Sequence, residues 1–341
     1  MYLSARLRNN LNFASKLTPK KILNAVRLYR SFFMSKRKGK ALHAGMPAAV
    51  SLEPTTSCNL RCPECPSGLR SFSRPTGMLK PELFEQVLDE LAPFLVHLFL
   101  YFQGEPYLNP SFFKMVKYAH GKNVYTATST NAHYLDEKRA KLTVESGLDK
   151  LIVSVDGTTQ NTYEGYRIGG SLDKVKDGIS NLVRMRKKLK SHKPYIEMQF
   201  LVTGKNEHEI QDARLMAKSL GVDNLALKTA QIYDYENGSD LIPSNNKYSR
   251  YRKNPDGKWS IKNDWPNECL KMWTSCVITW DGQITPCCYD KDAKYGMGNT
   301  DGKKFSEIWN GKKYASFRQA ILNSRKSIDI CRNCTEGMKT L

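Results

Sequence analysis

Cys58-Asn59-Leu60-Arg61-Cys62-Pro63-Glu64-Cys65 is the stretch whose chemistry sets the fold expectation for this chain. The run at 48–54 just before it reads as a strand, so a C-x3-C-x2-C spacing falls in the loop that leaves that strand. Three thiolates on one short loop can each take one iron of a [4Fe–4S] cluster, whereas a cluster kept for structure or electron transfer is normally held by four. One iron would be left open. The competing reading is a zinc site, which wants a fourth Cys or His close by, and the loop contains none.

Outward from this loop, short apolar runs alternate with amphipathic stretches of helical length, the pattern of repeated βα units. Strands are expected at 48–54, 97–102, 124–128, 150–155, 195–202 and 224–228, and helices at 81–91, 110–121, 135–146, 172–189 and 207–220. Short connections between six strands and five helices predict an α/β fold, a partial (β/α)6 parallel barrel. Its chemistry belongs at the C-terminal strand ends. The polar, turn-rich stretch 233–264 reads as a linker, and 265–341 as a small Cys-rich C-terminal iron–sulfur domain; the barrel occupies 47–232 and a basic helical segment 1–46.

The nine cysteines are unevenly placed: Cys58, Cys62 and Cys65, then Cys269, Cys276, Cys287, Cys288, Cys331 and Cys334. An odd total, with no apolar h-region or small-residue cleavage site near the N-terminus, argues against a disulfide scaffold and for metal or cluster ligation. A cytoplasmic protein is expected.

The cluster loop after the first strand resembles that of the radical S-adenosylmethionine superfamily, and Gly104-Glu105-Pro106 after the second strand resembles the family's Gly-Glu-Pro motif. The resemblance implies that the open iron is chelated by the cofactor's amino and carboxylate groups, and that Glu105 and nearby backbone carbonyls accept from its ammonium. It also implies cofactor contacts at Ser129 and Asn131, which end the third strand, at Ser154 and Asp156 after the fourth, and at Arg167 and Gln199. Each Ser, Asp or Asn there is equally suited to a cap or a turn. The family's frequent aromatic residue before the third cysteine is replaced here by Glu64.

Cys269, Gly282 and Cys287, then Cys331-Arg332-Asn333-Cys334, resemble the SPASM or shortened "twitch" extension of the same superfamily. That likeness implies one auxiliary [4Fe–4S] cluster on Cys269, Cys287, Cys331 and Cys334, two clusters in all. Cys276 and Cys288 are left as substitutes or as small buried residues, and a four-cysteine zinc ribbon has similar paired spacing. The implied activity is a radical S-adenosylmethionine oxidoreductase or maturase. It would form a 5′-deoxyadenosyl radical and take a hydrogen atom from a peptide or small-molecule, sugar-like substrate. A flavodoxin or ferredoxin would supply electrons, and the auxiliary cluster would assist a net oxidation.

Lys and Arg total 53 against 33 Asp and Glu, a net charge of +20, and residues 1–52 hold eleven Lys/Arg and no acidic residue. Thr18 and Pro19 predict a helix start, after which Ile22, Val26, Tyr29 and Phe33 recur at helical spacing. Two outcomes are open. Either the helix makes peripheral contact with an anionic membrane or acidic partner, or it covers the barrel with those four residues buried. A reading from a different class is a non-catalytic zinc or iron–sulfur protein binding nucleic acid or anionic lipid through this segment. Little aromatic interleaving accompanies the basic residues, which argues against nucleic acid.

Overall fold

The computed structural model describes residues 4–335. Six parallel strands pair in chain order: β1 (Ala49–Leu52), β2 (His97–Phe99), β3 (Tyr125–Thr130), β4 (Lys150–Ser154), β5 (Tyr195–Val202) and β6 (Asn224–Thr229). Register places Val50 beside Leu98, Leu98 beside Thr126, Thr128 beside Leu151 and Ser154 beside Gln199. The crossover helices Pro81–Leu91, Phe112–Gly121, Glu137–Glu145, Leu172–Lys188 and Ile210–Ser219 complete the barrel expected from the periodicity.

Period-two alternation separates the two faces of the sheet. Val50, Leu98, Leu151, Val153, Ile196 and Met198 are sealed under the helices against Phe84, Leu88, Val116, Ile179 and Leu182. Their neighbours His97, Phe99, Lys150 and Gln199 are only part-buried, which marks the other face as the barrel's lumen. Local chemistry starts the helices where the periodicity does. Asp136 Oδ1 accepts from the Arg139 amide at 2.7 Å and Ser171 Oγ from the Lys174 amide at 3.3 Å, satisfying N-terminal donors that the helix itself leaves unpaired.

The sheet does not end with the barrel. After a two-stranded hairpin, β7 (Tyr251–Lys253) with β8 (Trp259–Ile261), the chain returns to the β1 edge. There β9 (Ser275–Ile278) pairs in parallel with β1, and β10 (Gln283–Thr285) and β11 (Gly298–Asn299) continue antiparallel. Met272, Trp273, Ile278, Ile284 and Trp309 therefore share one core with Val50 and Leu98. A buried ion pair ties the same edge: Arg74 Nη1 and Nη2 donate to Glu53 Oε2 and Oε1 at 2.9 and 2.6 Å, while Arg74 Nε donates to the Lys291 carbonyl at 3.1 Å.

At the other end of the strands lie α1 (Ala5–Ala14) and α2 (Pro19–Lys38). Asn12 Nδ2 donates to Asp149 at 2.9 Å, Tyr125 Oη to Asn9 at 2.7 Å, and Lys21 Nζ to the Asn123 carbonyl at 2.6 Å, all beside the N-terminal ends of β3 and β4. Thr18 caps α2 and Pro19 opens it, as expected. The apolar stripe is not what packs: Ile22, Val26, Tyr29 and Phe33 are 51, 57, 47 and 59% exposed. The cover reading, which needs them buried, is overturned. Leu28 and Phe32 are buried instead, with Asn24 clasping Met46 (Nδ2 to carbonyl 2.7 Å, Oδ1 from amide 2.8 Å) and Ser35 Oγ bonded to Leu42.

Candidate active site

The loop after β1 carries Cys58, Cys62 and Cys65 to the C-terminal end of the barrel strands. A short helix, Pro66–Leu69, packs back onto it so tightly that a Cβ on Gly68 would meet the Cys62 amide nitrogen and carbonyl oxygen at 2.5 Å. Ser67 Oγ donates to the Thr56 carbonyl at 3.0 Å and accepts from the Gly104 amide at 2.9 Å, joining the loop to the segment after β2. Gly104 has φ +74 and a Cβ there would lie 2.3 Å from the Thr55 carbonyl oxygen, so only glycine fits.

Glu105 is fully enclosed. Its Oε1 accepts from Thr130 Oγ1 at 2.7 Å and from the Tyr107 amide at 3.2 Å, and its Oε2 from the Asn131 amide at 2.8 Å. Burial lifts its pKa from the ordinary carboxylate value to about 7, against those hydrogen bonds. Oε2, with one such partner, keeps a further lone pair for a ligand donor. Asn131 Nδ2 donates to Asn59 Oδ1 at 2.8 Å and reaches Cys58 Sγ at 3.9 Å.

A cleft of about 130 Å³ gathers Cys58, Cys62, Cys65, Gly104, Glu105, Ser129, Asn131, Ser154 and Arg167. Pro106, Asp156 and Gln199 lie outside its lining. Asp156 is wholly buried and occupied: Oδ2 accepts from Arg167 Nε at 2.5 Å and Oδ1 from the Leu201 amide at 2.7 Å. Arg167 in turn points Nη1 at Cys62 Sγ across 3.6 Å. Gln199 sits on the lumen side of β5, in register with Ser154.

A second group of cysteines stands on the C-terminal region. Cys269, Cys331 and Cys287 interact electrostatically, as do Cys331 and Cys334. Arg325 Nη2 donates to Cys334 Sγ at 3.3 Å and its charge also acts on Cys269 and Cys331. Burial pushes the Cys58 thiol up to about 11 and Cys331 to about 12, and raises Cys287 as well. Buried thiols held neutral in this way ionise when a bound cation supplies the missing positive charge, so both groups suit a metal cluster. Cys276 is different: it is fully buried on β9 beside Tyr314 and Arg318. Cys288 is exposed and near enough to interact with Tyr101 and Lys291 as well as with Cys287.

Several neighbours carry no motif and escape a reading by spacing. The stretch 233–264 builds a small core of Leu241, Ile242, Tyr251 and Ile261 against Ile232, Leu60 and Cys62. Tyr251 Oη donates to Asn333 Oδ1 at 2.8 Å, so the hairpin touches both cysteine groups. Between the groups, Lys291 Nζ donates to Tyr233 Oη at 2.9 Å, and Glu64 Oε2 accepts from the Tyr233 amide at 2.8 Å. Lys291 is near enough to feel both Cys65 and Cys288. Glu64 thus anchors the segment after β6.

Residues 52–216 match the radical SAM superfamily and residues 269–335 match the SPASM iron–sulfur cluster-binding domain. The chain is a radical S-adenosylmethionine enzyme. This radical S-adenosylmethionine enzyme is 28% identical over 318 residues to the tungsten-containing aldehyde ferredoxin oxidoreductase cofactor-modifying protein of Pyrococcus furiosus, covering 83% of this chain and 86% of that one. It is 23% identical over 290 residues to the S-adenosyl-L-methionine-dependent 2-deoxy-scyllo-inosamine dehydrogenase of Niallia circulans (84% and 91%). Its fold resembles SuiB of Streptococcus suis bound to S-adenosylmethionine, with a TM-score of 0.62 at 13% identity over 89% of this chain and 75% of that one. SuiB bound to its precursor peptide SuiA gives 0.60 at 12% identity (89% and 74%). As a member of this superfamily with a SPASM region, the enzyme takes [4Fe–4S] clusters and S-adenosylmethionine.

Proposed function

We propose that this enzyme takes a hydrogen atom from one substrate carbon, then an electron from the resulting carbon radical and a proton from the heteroatom bonded to it, forming a carbon–heteroatom double bond: a net two-electron oxidation of a peptide side chain or a small hydroxylated molecule. Cys58, Cys62 and Cys65 would hold the first cluster, and Cys269, Cys287, Cys331 and Cys334 the auxiliary one. When bound, the reduced first cluster and S-adenosylmethionine supply the 5′-deoxyadenosyl radical that takes the hydrogen atom, and the auxiliary cluster accepts the electron.

The observation that carries this reading is the placement of Lys291, which interacts with Cys65 of one group and Cys288 beside the other. Substrate held at that gap meets both. Tyr101 and Tyr233 wall the gap with rigid rings, and Leu60, Cys62 and Tyr251 in the small core behind the loop keep water from its back. Burial draws the Lys291 ammonium below its usual range, although the thiols oppose this, so the Lys291–Tyr233 pair is suited to receive the substrate proton at Lys291 Nζ. Gly104 and Glu105 would hold the ammonium end of the cofactor, and Asn131 and Ser154 would orient the rest of it. Reduction by a flavodoxin or ferredoxin completes the cycle.

Deuterium transfer tests it. The enzyme is incubated with S-adenosylmethionine, dithionite and deuterated cell extract split into peptide and small-molecule fractions. Deuterium in 5′-deoxyadenosine from one fraction is expected, sensitive to protease if the substrate is a peptide. Unlabelled 5′-deoxyadenosine with every fraction would contradict the proposal.

A further inference from the structure

The N-terminal helices turn an apolar, basic face to the outside. Beside the exposed stripe of Ile22, Val26, Tyr29 and Phe33, Leu23 and Met34 are 52 and 37% exposed, and α1 adds Leu7 and Leu11. At 100° per residue the four stripe positions fall within roughly 60° of arc. Arg27, Arg30 and Arg37 flank them, exposed, and none is in an ion pair among the described residues. The opposite side of α2 seats the helix: Leu28 and Phe32 are buried, Asn24 and Ser35 hold the backbone of Met46 and Leu42, and Lys21 holds that of Asn123. The outward apolar side chains are therefore not what seats the helix, and a contiguous apolar surface of this kind marks a contact with something else.

Charge selects the contact. No acidic residue occurs among residues 1–52, which hold eleven Lys/Arg. A second copy would bring the same positive face against the first, and like charges would meet. Behind α1 lies a cavity of about 880 Å³ whose two carboxylates, Asp149 and Asp223, are paired with Lys193 and Arg186, leaving Lys187 and Lys190 to carry the positive surface round to the barrel rim. The face is suited to a negative, laterally extended surface with an apolar interior beneath it.

We propose that α1 and α2 dock on an anionic lipid bilayer, with Ile22, Val26, Tyr29 and Phe33 entering the acyl boundary and Arg27, Arg30 and Arg37 at the level of the phosphates. Because these helices cross the N-terminal ends of the strands, the cleft around Cys58, Cys62 and Cys65 opens on the side away from the bilayer. Among the described residues no helix is long and apolar enough to cross a membrane, so the contact is peripheral.

The test is co-sedimentation of the full chain, clusters in place, with phosphatidylcholine vesicles containing about 30% phosphatidylglycerol and with phosphatidylcholine alone. Binding to the anionic vesicles is expected, and it should weaken steeply between about 0.1 and 0.5 M salt. Val26→Asp with Phe33→Asp should weaken it by roughly tenfold or more at unchanged iron content and Tm, because both side chains are exposed. Arg27→Gln with Arg30→Gln and Arg37→Gln is an independent variant that should flatten the salt dependence. Failure of the full chain to sediment, or wild-type binding by the Val26→Asp, Phe33→Asp variant, would overturn the proposal. So would a dimer in solution that this variant abolishes without any vesicle binding by the parent.

Discussion

Arg167 directs Nη1 at Cys62 Sγ across 3.6 Å while Asp156 holds the same guanidinium through Nε at 2.5 Å. The pair fixes a positive charge beside Cys62, a proposed ligand of the first cluster. A reduced cluster carries one more negative charge than an oxidised one, so a fixed cation stabilises the reduced form. Arg167→Met should lower the reduction potential of the first cluster by roughly tens of millivolts, read by redox titration monitored by EPR. Arg167→Lys should recover part of it. An unchanged potential in Arg167→Met would show that the hydrogen bond to Cys62 has no electrostatic consequence.

Glu105 gives the stability of the enzyme without S-adenosylmethionine a pH dependence of a defined sign. Burial raises its folded pKa from 4.5 to about 7. Between those values the folded chain keeps a proton that the unfolded chain releases, so stability is lost as pH rises through the window, by on the order of 3 kcal/mol for this group. Urea unfolding at both ends of the range should show the loss, and Glu105→Gln should flatten it. If Glu105 accepts from the cofactor's ammonium as proposed, the ammonium favours the ionised carboxylate, and cofactor affinity should rise with pH over the same range.

Glu53 and Arg74 couple the cluster loop to the C-terminal region through a bidentate pair buried on both sides. Removing the cation leaves a carboxylate uncompensated inside the protein. Arg74→Ala should cost about 3–5 kcal/mol, and Glu53→Gln less, because the guanidinium left behind keeps the Lys291 carbonyl and the Phe72 ring as partners whereas the carboxylate left by Arg74→Ala has no cation. Thermal unfolding of the two variants side by side checks the order. Equal losses would mean that packing rather than charge governs the site.

The strands and crossover helices of the barrel were legible because their apolar residues recur with a clean period, and the cluster loop because three cysteines share eight residues. Which side of α2 faces the barrel was not. Ile22, Val26, Tyr29 and Phe33 make an apolar stripe, but Asn24 and Ser35 dock the helix through backbone partners at Met46 and Leu42 that no periodicity shows. The parallel pairing of Val50 with Cys276 joins segments far apart in the chain, and nothing local in either strand announces the other. The stretch 233–264 reads as polar and turn-rich because Tyr251 and Ile261 find their apolar neighbours in distant segments rather than in a pattern of their own. Lys291 and Tyr233 meet across a similar distance, so the gap between the cysteine groups appears only once the chain is folded.

Iron content separates the cysteines. The reconstituted protein should hold about eight irons and each of Cys269→Ala, Cys287→Ala and Cys331→Ala about four. Cys276→Ala and Cys288→Ala should keep about eight, since Cys276 lies in the core beside Tyr314 and Cys288 is exposed near Lys291. Loss of four irons in Cys288→Ala would place that residue in the ligand set.

The most direct measurement is the amount of 5′-deoxyadenosine formed from S-adenosylmethionine under dithionite, separated by chromatography, for the wild type, Cys65→Ala and Cys331→Ala. On the proposed function, the first cysteine group serves radical formation and the second the later oxidation of the substrate. Wild type should therefore form 5′-deoxyadenosine, Cys65→Ala none, and Cys331→Ala should retain uncoupled cleavage. Stoichiometric zinc with no 5′-deoxyadenosine from the wild type, or equal loss in a well-folded Cys331→Ala protein, would contradict the division of labour between the two cysteine groups.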